Sequence, residues 1–94
     1  MANKYDIHYS TKYKKAVKKL DNKVLQEIQI VVEKLANDEI LEEKYKDHKL
    51  KGIYRAFREC HIRPNLCLIY QKIDDILVLV LVDVGSHSDL GLTS

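Results

Sequence analysis

Arg58-Glu59-Cys60-His61-Ile62-Arg63-Pro64-Asn65-Leu66-Cys67-Leu68-Ile69-Tyr70 is the stretch on which the fold of this chain turns. Two β-prone runs meet in it at a turn marked by the only proline of the sequence. Proline is tolerated at such a turn because it presets φ and needs no ladder donor. His61 stands two residues before Arg63-Pro64, so an imidazole lies at the mouth of a hairpin rather than in mid-strand. Downstream, Ile73-Asp74-Asp75-Ile76 reads as two strand ends closed by a two-residue turn, which aspartate tolerates.

These turns predict a register. A two-residue turn at Asp74-Asp75 pairs Ile73 with Ile76, Tyr70 with Leu79 and Leu66 with Asp83. A two-residue turn at Arg63-Pro64 pairs Ile62 with Asn65, Cys60 with Cys67 and His61 with Leu66. His61, Leu66 and Asp83 then share one cross-strand row. A three-residue loop would instead set His61 against Cys67, with Val82 third in the row. In the preferred, shorter register, one face carries Cys60, Ile62, Ile69, Val78, Val80 and Val82 and is expected to take the helices. The other carries Leu68, Leu79 and Leu81 beside His61 and Asp83, an apolar strip expected to stay open for a partner. Gly85-Ser86-His87 follows at the His61 end of the sheet, which makes that end the candidate site.

Upstream, Tyr5-Asp6-Ile7-His8-Tyr9 alternates as a strand does. Ser10 is a plausible N-cap, and Tyr13, Ala16, Val17 and Leu20 follow at helical spacing, with Lys12, Lys14, Lys15, Lys18 and Lys19 on the rest of the surface. That lysine surface reads as a solvated face or as one that meets phosphates. Asp21 or Asn22 caps a second helix whose buried stripe is Val24, Leu25, Ile28, Val31, Val32 and Leu35, ending at Asn37 or Asp38. The short connection makes the pair an antiparallel hairpin. A charged connector with three apolar anchors, Ile40, Leu41 and Tyr45, then leads to Asp47-His48-Lys49-Leu50-Lys51-Gly52. The run Ile76 to Val84 is apolar almost throughout and reads as a central strand covered on both faces. The expected fold is therefore α+β, in the order β-α-α-β-β-β, with a helical hairpin on one face of a small, mainly antiparallel four-stranded sheet.

Composition sets the outer bounds. The 94 residues are 46% hydrophobic and 32% charged, with three glycines and one proline, so one globular domain over residues 1–94 is expected rather than a disordered chain. No apolar run is long enough to span a bilayer and the amino terminus lacks a signal-peptide pattern, so a cytoplasmic protein away from membranes is expected. In a reducing compartment Cys60 and Cys67 read as small core residues. Net charge is only +2, but all three arginines fall between Arg55 and Arg63, which permits an RNA ligand without demanding one.

Three histidines, His48, His61 and His87, could serve one reaction, because imidazole titrates near neutral pH and can act as base or acid. The simplest such reaction without a metal is internal cleavage of RNA. A base removes the 2′-OH proton, the oxygen attacks the adjacent phosphate, an acid protonates the leaving 5′-oxygen, and nearby cations stabilise the added charge. Spacings of thirteen and twenty-six residues match no compact zinc pattern, so neither metal nor cofactor is expected. Each histidine read alone, from composition, is structural rather than catalytic, and His8 keeps that reading.

Asp47-His48-Lys49-Leu50-Lys51-Gly52, Arg58 to Pro64, Leu68-Ile69-Tyr70 and Gly85-Ser86-His87-Ser88-Asp89-Leu90 resemble, in order and separation, the YafQ-type branch of the RelE/ParE toxin superfamily. The resemblance covers the whole chain. It implies a ribosome-dependent mRNA endonuclease, the toxin of a type II toxin–antitoxin pair, restrained by a cognate antitoxin that can bring it to operator DNA. By resemblance His48, His61 and His87 are the catalytic residues, and Lys49, Lys51, Arg55, Arg63 and Asn65 the substrate-binding ones. The family's third-helix region is reduced to a short tail. Departures stand at Asn65, where an aspartate is expected, at Leu66 and Gly91, where aromatics are expected, and at Asp83, where an arginine is expected. A reversed charge at a phosphate site costs roughly 1–3 kcal/mol per unit charge at about 5 Å and an effective dielectric of about 20 to 80. The alternative is therefore a catalytically weak or inert member acting through antitoxin binding and autoregulation of its operon.

Overall fold

The side chains of Ser10 and Asp21 start the two helices, and the backbone of Asn37 closes the second. In the computed structural model, which describes residues 3–91, strand β1 (Asp6–Tyr9) is followed by helices α1 (Thr11–Val17) and α2 (Asn22–Ala36). Strands β2 (His48–Lys49), β3 (Arg58–Arg63), β4 (Leu66–Ile73) and β5 (Val78–Gly85) complete the sheet. Ser10 Oγ accepts from Tyr13 N at 2.9 Å and Asp21 Oδ1 from Val24 N at 3.0 Å, so each cap satisfies an otherwise unpaired first-turn donor. The Asn37 amide donates to Glu33 O, and Asp38 turns the chain away in the left-handed region at φ 62°. The last three residues of the expected tail lie outside the described residues.

The sheet order is β1-β5-β4-β3-β2, parallel between β1 and β5 and antiparallel elsewhere. The α+β arrangement is as expected, but the sheet has five strands rather than four. The additional one is β2, in which His48 and Lys49 oppose Glu59 and Arg58. A two-residue strand is too short to carry any periodicity.

Both turns are longer than the preferred register assumed. The chain reverses between β4 and β5 over Asp74 to Leu77, a 3₁₀ turn closed by Leu77 at φ 52°, so Ile73 pairs with Val78 and Tyr70 with Leu81. At the first hairpin His61 opposes Cys67, the longer-loop alternative, and an irregularity follows between His61 and Arg63. A second irregularity in β5 brings Ile69 opposite Asp83 and Cys67 opposite Gly85. The observed row is His61, Cys67, Gly85; neither Leu66–Asp83 nor Val82 takes part.

The face assignment changes with the register. Leu68, Leu79 and Leu81 pack with Cys60, Ile62 and Tyr70 against Val24, Ile28, Val31, Val32 and Leu35 of α2, and all three leucines are fully buried. The expected open leucine strip does not exist. On the opposite face Cys67 and Ile69 lie with Val82 under Leu50, Phe57 and Leu90. Leu90 is seated there by the turn after β5, where its amide donates to Ser86 O at 3.0 Å. Cys60 and Cys67 belong to opposite faces and pair with Leu68 and His61, so they are not disulfide partners. Of the connector's anchors, Leu41 is buried, Tyr45 half-buried and Ile40 98% exposed, so two of the three hold the chain.

Ser10 does more than cap. Its hydroxyl also donates to Val82 O at 2.5 Å, which ties the start of α1 to β5. Ser10→Ala should lower unfolding free energy by about 1–2 kcal/mol in denaturant titrations, the range for a lost N-cap. A second prediction concerns acid. Hydrogen bonds from Lys4 and Lys72 hold the Asp38 carboxyl at about 2, below its ordinary 3.8. A depressed folded pKa gives stability that is present above the ordinary value and lost as pH falls through the folded one. Asp38→Asn should therefore flatten the loss of stability between about pH 4 and pH 2 in acid titrations followed by circular dichroism.

Candidate functional site

The site is built on the far face of β2 and β3. Alternate residues of a strand share a face, so Cys60 and Ile62 entering the helix-side core leave Glu59 and His61 together on the other. Glu59 is directly opposed by His48 of β2, and His61 by Cys67 of β4. Gly85 opposes Cys67, and two residues later the tail turn carries His87. A Cβ on Gly85 would stand 3.1 Å from Asp89 Cβ, so the glycine is needed for close approach of that turn rather than for an unusual φ. Ser86 and Asp89 brace the turn: Asp89 N donates to Ser86 Oγ at 3.1 Å and Ser86 N to Asp89 Oδ2 at 3.4 Å.

All three histidines converge on one carboxylate. From Glu59 Oε1, His87 Nε2 lies at 3.1 Å, His61 Nε2 at 3.4 Å and His48 Nε2 at 3.5 Å. The His61 and His87 rings meet edge to face, with centroids 5.6 Å apart. Glu59 has only 2% of its side chain exposed, whereas His48 and His87 are about half exposed. The carboxylate is the buried floor of the cluster and two imidazoles form its open rim. His87 Nε2 is 3.1 Å from Oε2 as well, but its hydrogen bond is directed at Oε1, and Oε2 has no hydrogen-bond partner among the described residues.

The neighbours determine which nitrogens carry hydrogen. His48 Nδ1 lies 2.7 Å from Lys46 O; a carbonyl only accepts, so Nδ1 donates. In the neutral ring the lone pair is then on Nε2, facing the cluster. His87 Nε2 donates to Glu59. The Cys67 thiol is pushed up to about 11, chiefly by burial and further by Glu59, so it stays protonated. Its sulfur is 3.8 Å from His61 Nδ1, and the thiol can donate there when the His61 proton is on Nε2, the nitrogen 3.4 Å from Glu59 Oε1.

His48 is positioned from behind. Tyr70 OH donates to Asp47 Oδ1 in a short hydrogen bond, while Arg58 Nε donates to the same carboxylate oxygen at 3.3 Å and to the Tyr70 hydroxyl oxygen (Oη) at 3.2 Å. Burial, together with Asp47, pushes the Tyr70 hydroxyl far up, so it remains a donor. Asp47, fixed from two sides, sets the start of β2.

The expected substrate-binding residues are dispersed. Lys49 and Arg55 line a groove beside Asp47 and Arg58, and Lys51 is exposed before a 3₁₀ turn. Arg63 is engaged by Glu27 through two hydrogen bonds of 2.8 and 2.7 Å. Asn65 is exposed in the hairpin turn and lines a different groove, with Lys12 and Asp83. Asp83 does not lie bare at the site: its Oδ1 accepts from Val84 N at 2.8 Å and its Oδ2 faces Lys12 Nζ at 3.5 Å.

Sequence reasoning missed Glu59, although its place two residues before His61 in a strand was the available signal. It also missed the donor set formed by Glu59, His61, Cys67 and His87, whose ligand atoms lie within 4.8 Å of one another. That mixture of carboxylate oxygen, imidazole nitrogen and thiol is of the kind that suits zinc or copper. Spacing along the chain could not reveal it, because two strands and a turn contribute.

Comparison with known proteins identifies the family and agrees with the fold. The family model described as the bacterial toxin of a type II toxin–antitoxin system, YafQ, matches residues 5–92. The mRNA interferase toxin YafQ of Escherichia coli (strain K12) is 35% identical over 75 residues, spanning 77% of this chain and 82% of the relative. YafQ in the E. coli DinJ-YafQ toxin-antitoxin complex superposes with a TM-score of 0.81 at 31% identity, covering 93% of this chain and 97% of that one. A metal-bound toxin from Helicobacter pylori superposes with a TM-score of 0.80 at 43% identity, covering 92% and 98%. With the match extending from β1 through the turn that carries His87, the chain belongs to the YafQ family of type II toxins.

Proposed function

We propose that this toxin is a ribosome-dependent mRNA endonuclease that cuts by histidine acid–base catalysis and is restrained by a cognate antitoxin. The observation that carries the reading is the meeting of three imidazole Nε2 atoms within 3.5 Å of Glu59 Oε1. His48 is the base, because the Lys46 carbonyl leaves its Nε2 lone pair facing the cluster. It takes the 2′-OH proton, and Glu59 receives the resulting N–H. The 2′-oxygen attacks the adjacent phosphorus, and the P–O5′ bond breaks as His87, acting as the imidazolium, gives its Nε2 proton to the leaving oxygen and is left as the neutral ring. The products are a 2′,3′-cyclic phosphate and a 5′-hydroxyl. His61, with its proton on Nε2 and the Cys67 thiol at Nδ1, donates a hydrogen bond toward the phosphoryl oxygens. Lys49 and Arg55, which line a groove with Asp47 and Arg58 next to His48 along the chain, supply cations to the bound strand.

The resemblance to YafQ of E. coli supports the antitoxin and the mRNA interferase parts of this reading. Operator DNA would be reached through the antitoxin. Lys12 supports an active toxin against an inert one, because it offsets the Asp83 carboxylate that stands where the family has an arginine.

Expression without antitoxin should arrest growth. His87→Ala should lower single-turnover cleavage on ribosomes by about 10²–10⁴, the span for a lost general acid, with little change in melting temperature. His48→Ala should do the same through the base. Unimpeded growth on expression would favour the inert alternative. Undiminished cleavage by folded His87→Ala would remove that histidine from the reaction.

A further inference from the structure

The segment from Thr11 to Leu20 carries five lysines and no acidic residue. Helical spacing separates them into two rows with different surroundings. Lys12, Lys15 and Lys19 line a groove of about 740 Å³ together with Arg63, Asn65 and Ser86. Lys14 and Lys18 line another hollow, beside Tyr9 and Tyr13. Two carboxylates reach the first groove, and both are engaged: Asp83 by Lys12 and the Val84 amide, Asp89 by the Ser86 amide. No carboxylate among the described residues forms an ion pair with Lys15 or Lys19.

The groove and the cluster are linked along the chain at one end of the sheet. Arg63 follows His61 by two residues and Ser86 immediately precedes His87. Its lining holds no aromatic ring on which a base could stack, but offers unpaired ammonium groups and neutral donors at Asn65 and Ser86. That chemistry engages phosphates rather than base edges. We infer that the Lys12–Lys15–Lys19 groove carries the sugar–phosphate backbone of the mRNA strand adjoining the cleavage site, without regard to its sequence. The inference rests on the nuclease reading above and adds the path of the strand.

The test uses a 2′-O-methylated single-stranded RNA oligonucleotide, which lacks the attacking hydroxyl, so binding is measured whether or not the chain cleaves. Lys15→Glu/Lys19→Glu should weaken binding at low salt at least tenfold. It should also flatten the dependence of log affinity on log salt by about 1.4, that is about 0.7 for each lost phosphate contact. Lys14→Glu/Lys18→Glu has the same net charge and should bind nearly as the unmodified chain does. Equal losses in the two pairs, or none in either, would overturn the groove. So would a loss of ribosome co-sedimentation with oligonucleotide binding intact, which would point to ribosomal RNA. A loss of antitoxin neutralisation alone would overturn it in favour of an acidic polypeptide. Cleavage by the unmodified chain is scored separately: its absence would remove the nuclease reading and leave the binding comparison to judge the groove.

Discussion

A carboxylate buried on the far face of a small sheet is the constraint around which the rest is arranged. Removing a charge from water costs several kcal/mol unless partners replace its hydration. Glu59 meets that cost only in part, with His87 hydrogen-bonded to one oxygen, His48 and His61 close to the same atom, and the other oxygen unsatisfied. Three chain segments have to come together for this: β3 supplies Glu59 and His61, β2 brings His48 across from Glu59, and the turn after β5 returns His87 over the sheet. The Asp47–Tyr70–Arg58 network and the Ser86–Asp89 brace hold the outer two segments in place. A buried acid so incompletely paired is poor material for stability and suits a site whose remaining partner is a ligand.

Much of the fold was legible because its signals are local. Ser10 and Asp21 stand where caps are needed, and Val24, Ile28, Val31, Val32 and Leu35 repeat with the period of a buried helix face. The convergence of the histidines was also legible, since His61 and Gly85-Ser86-His87 had to lie at one end of the sheet. The register was not. Leu77 takes a left-handed conformation that bulky residues rarely adopt, and irregularities at His61/Arg63 and Ile69/Tyr70 shift the pairing further. A shift of one residue moves every side chain to the other face. For that reason Leu68, Leu79 and Leu81, expected on an open surface, instead form the center of the core under α2. Strand β2 escaped for a different reason: it exists through pairing to β3, not through any preference of its own two residues.

The departures from the family pattern acquire physical contexts. Asp83 is neutralised by Lys12 on the α1 side of the sheet rather than facing a phosphate unopposed. Gly91, where an aromatic is expected, has φ +73°, a conformation that favours glycine, at the end of the turn that seats Leu90 on the far face. Arg63 is bound to Glu27, so in the proposed reading the phosphate contacts fall to Lys49, Arg55 and the α1 lysines. Nothing in the structure explains Asn65 beyond its exposed place in the hairpin turn.

Glu59→Gln tests the central role of the carboxylate most directly, because it keeps the shape of the side chain while removing its charge. Cleavage per folded molecule should be measured on ribosomes under single-turnover conditions, alongside the melting temperature. If Glu59 orients His87 and accepts a hydrogen bond from the N–H that His48 gains, the rate should fall by about 10² or more. The melting temperature should hold or rise, because a buried charge has been removed. Cleavage at the unmodified rate by a folded Glu59→Gln protein would contradict the account, since the three histidines would then be acting without the group on which they converge.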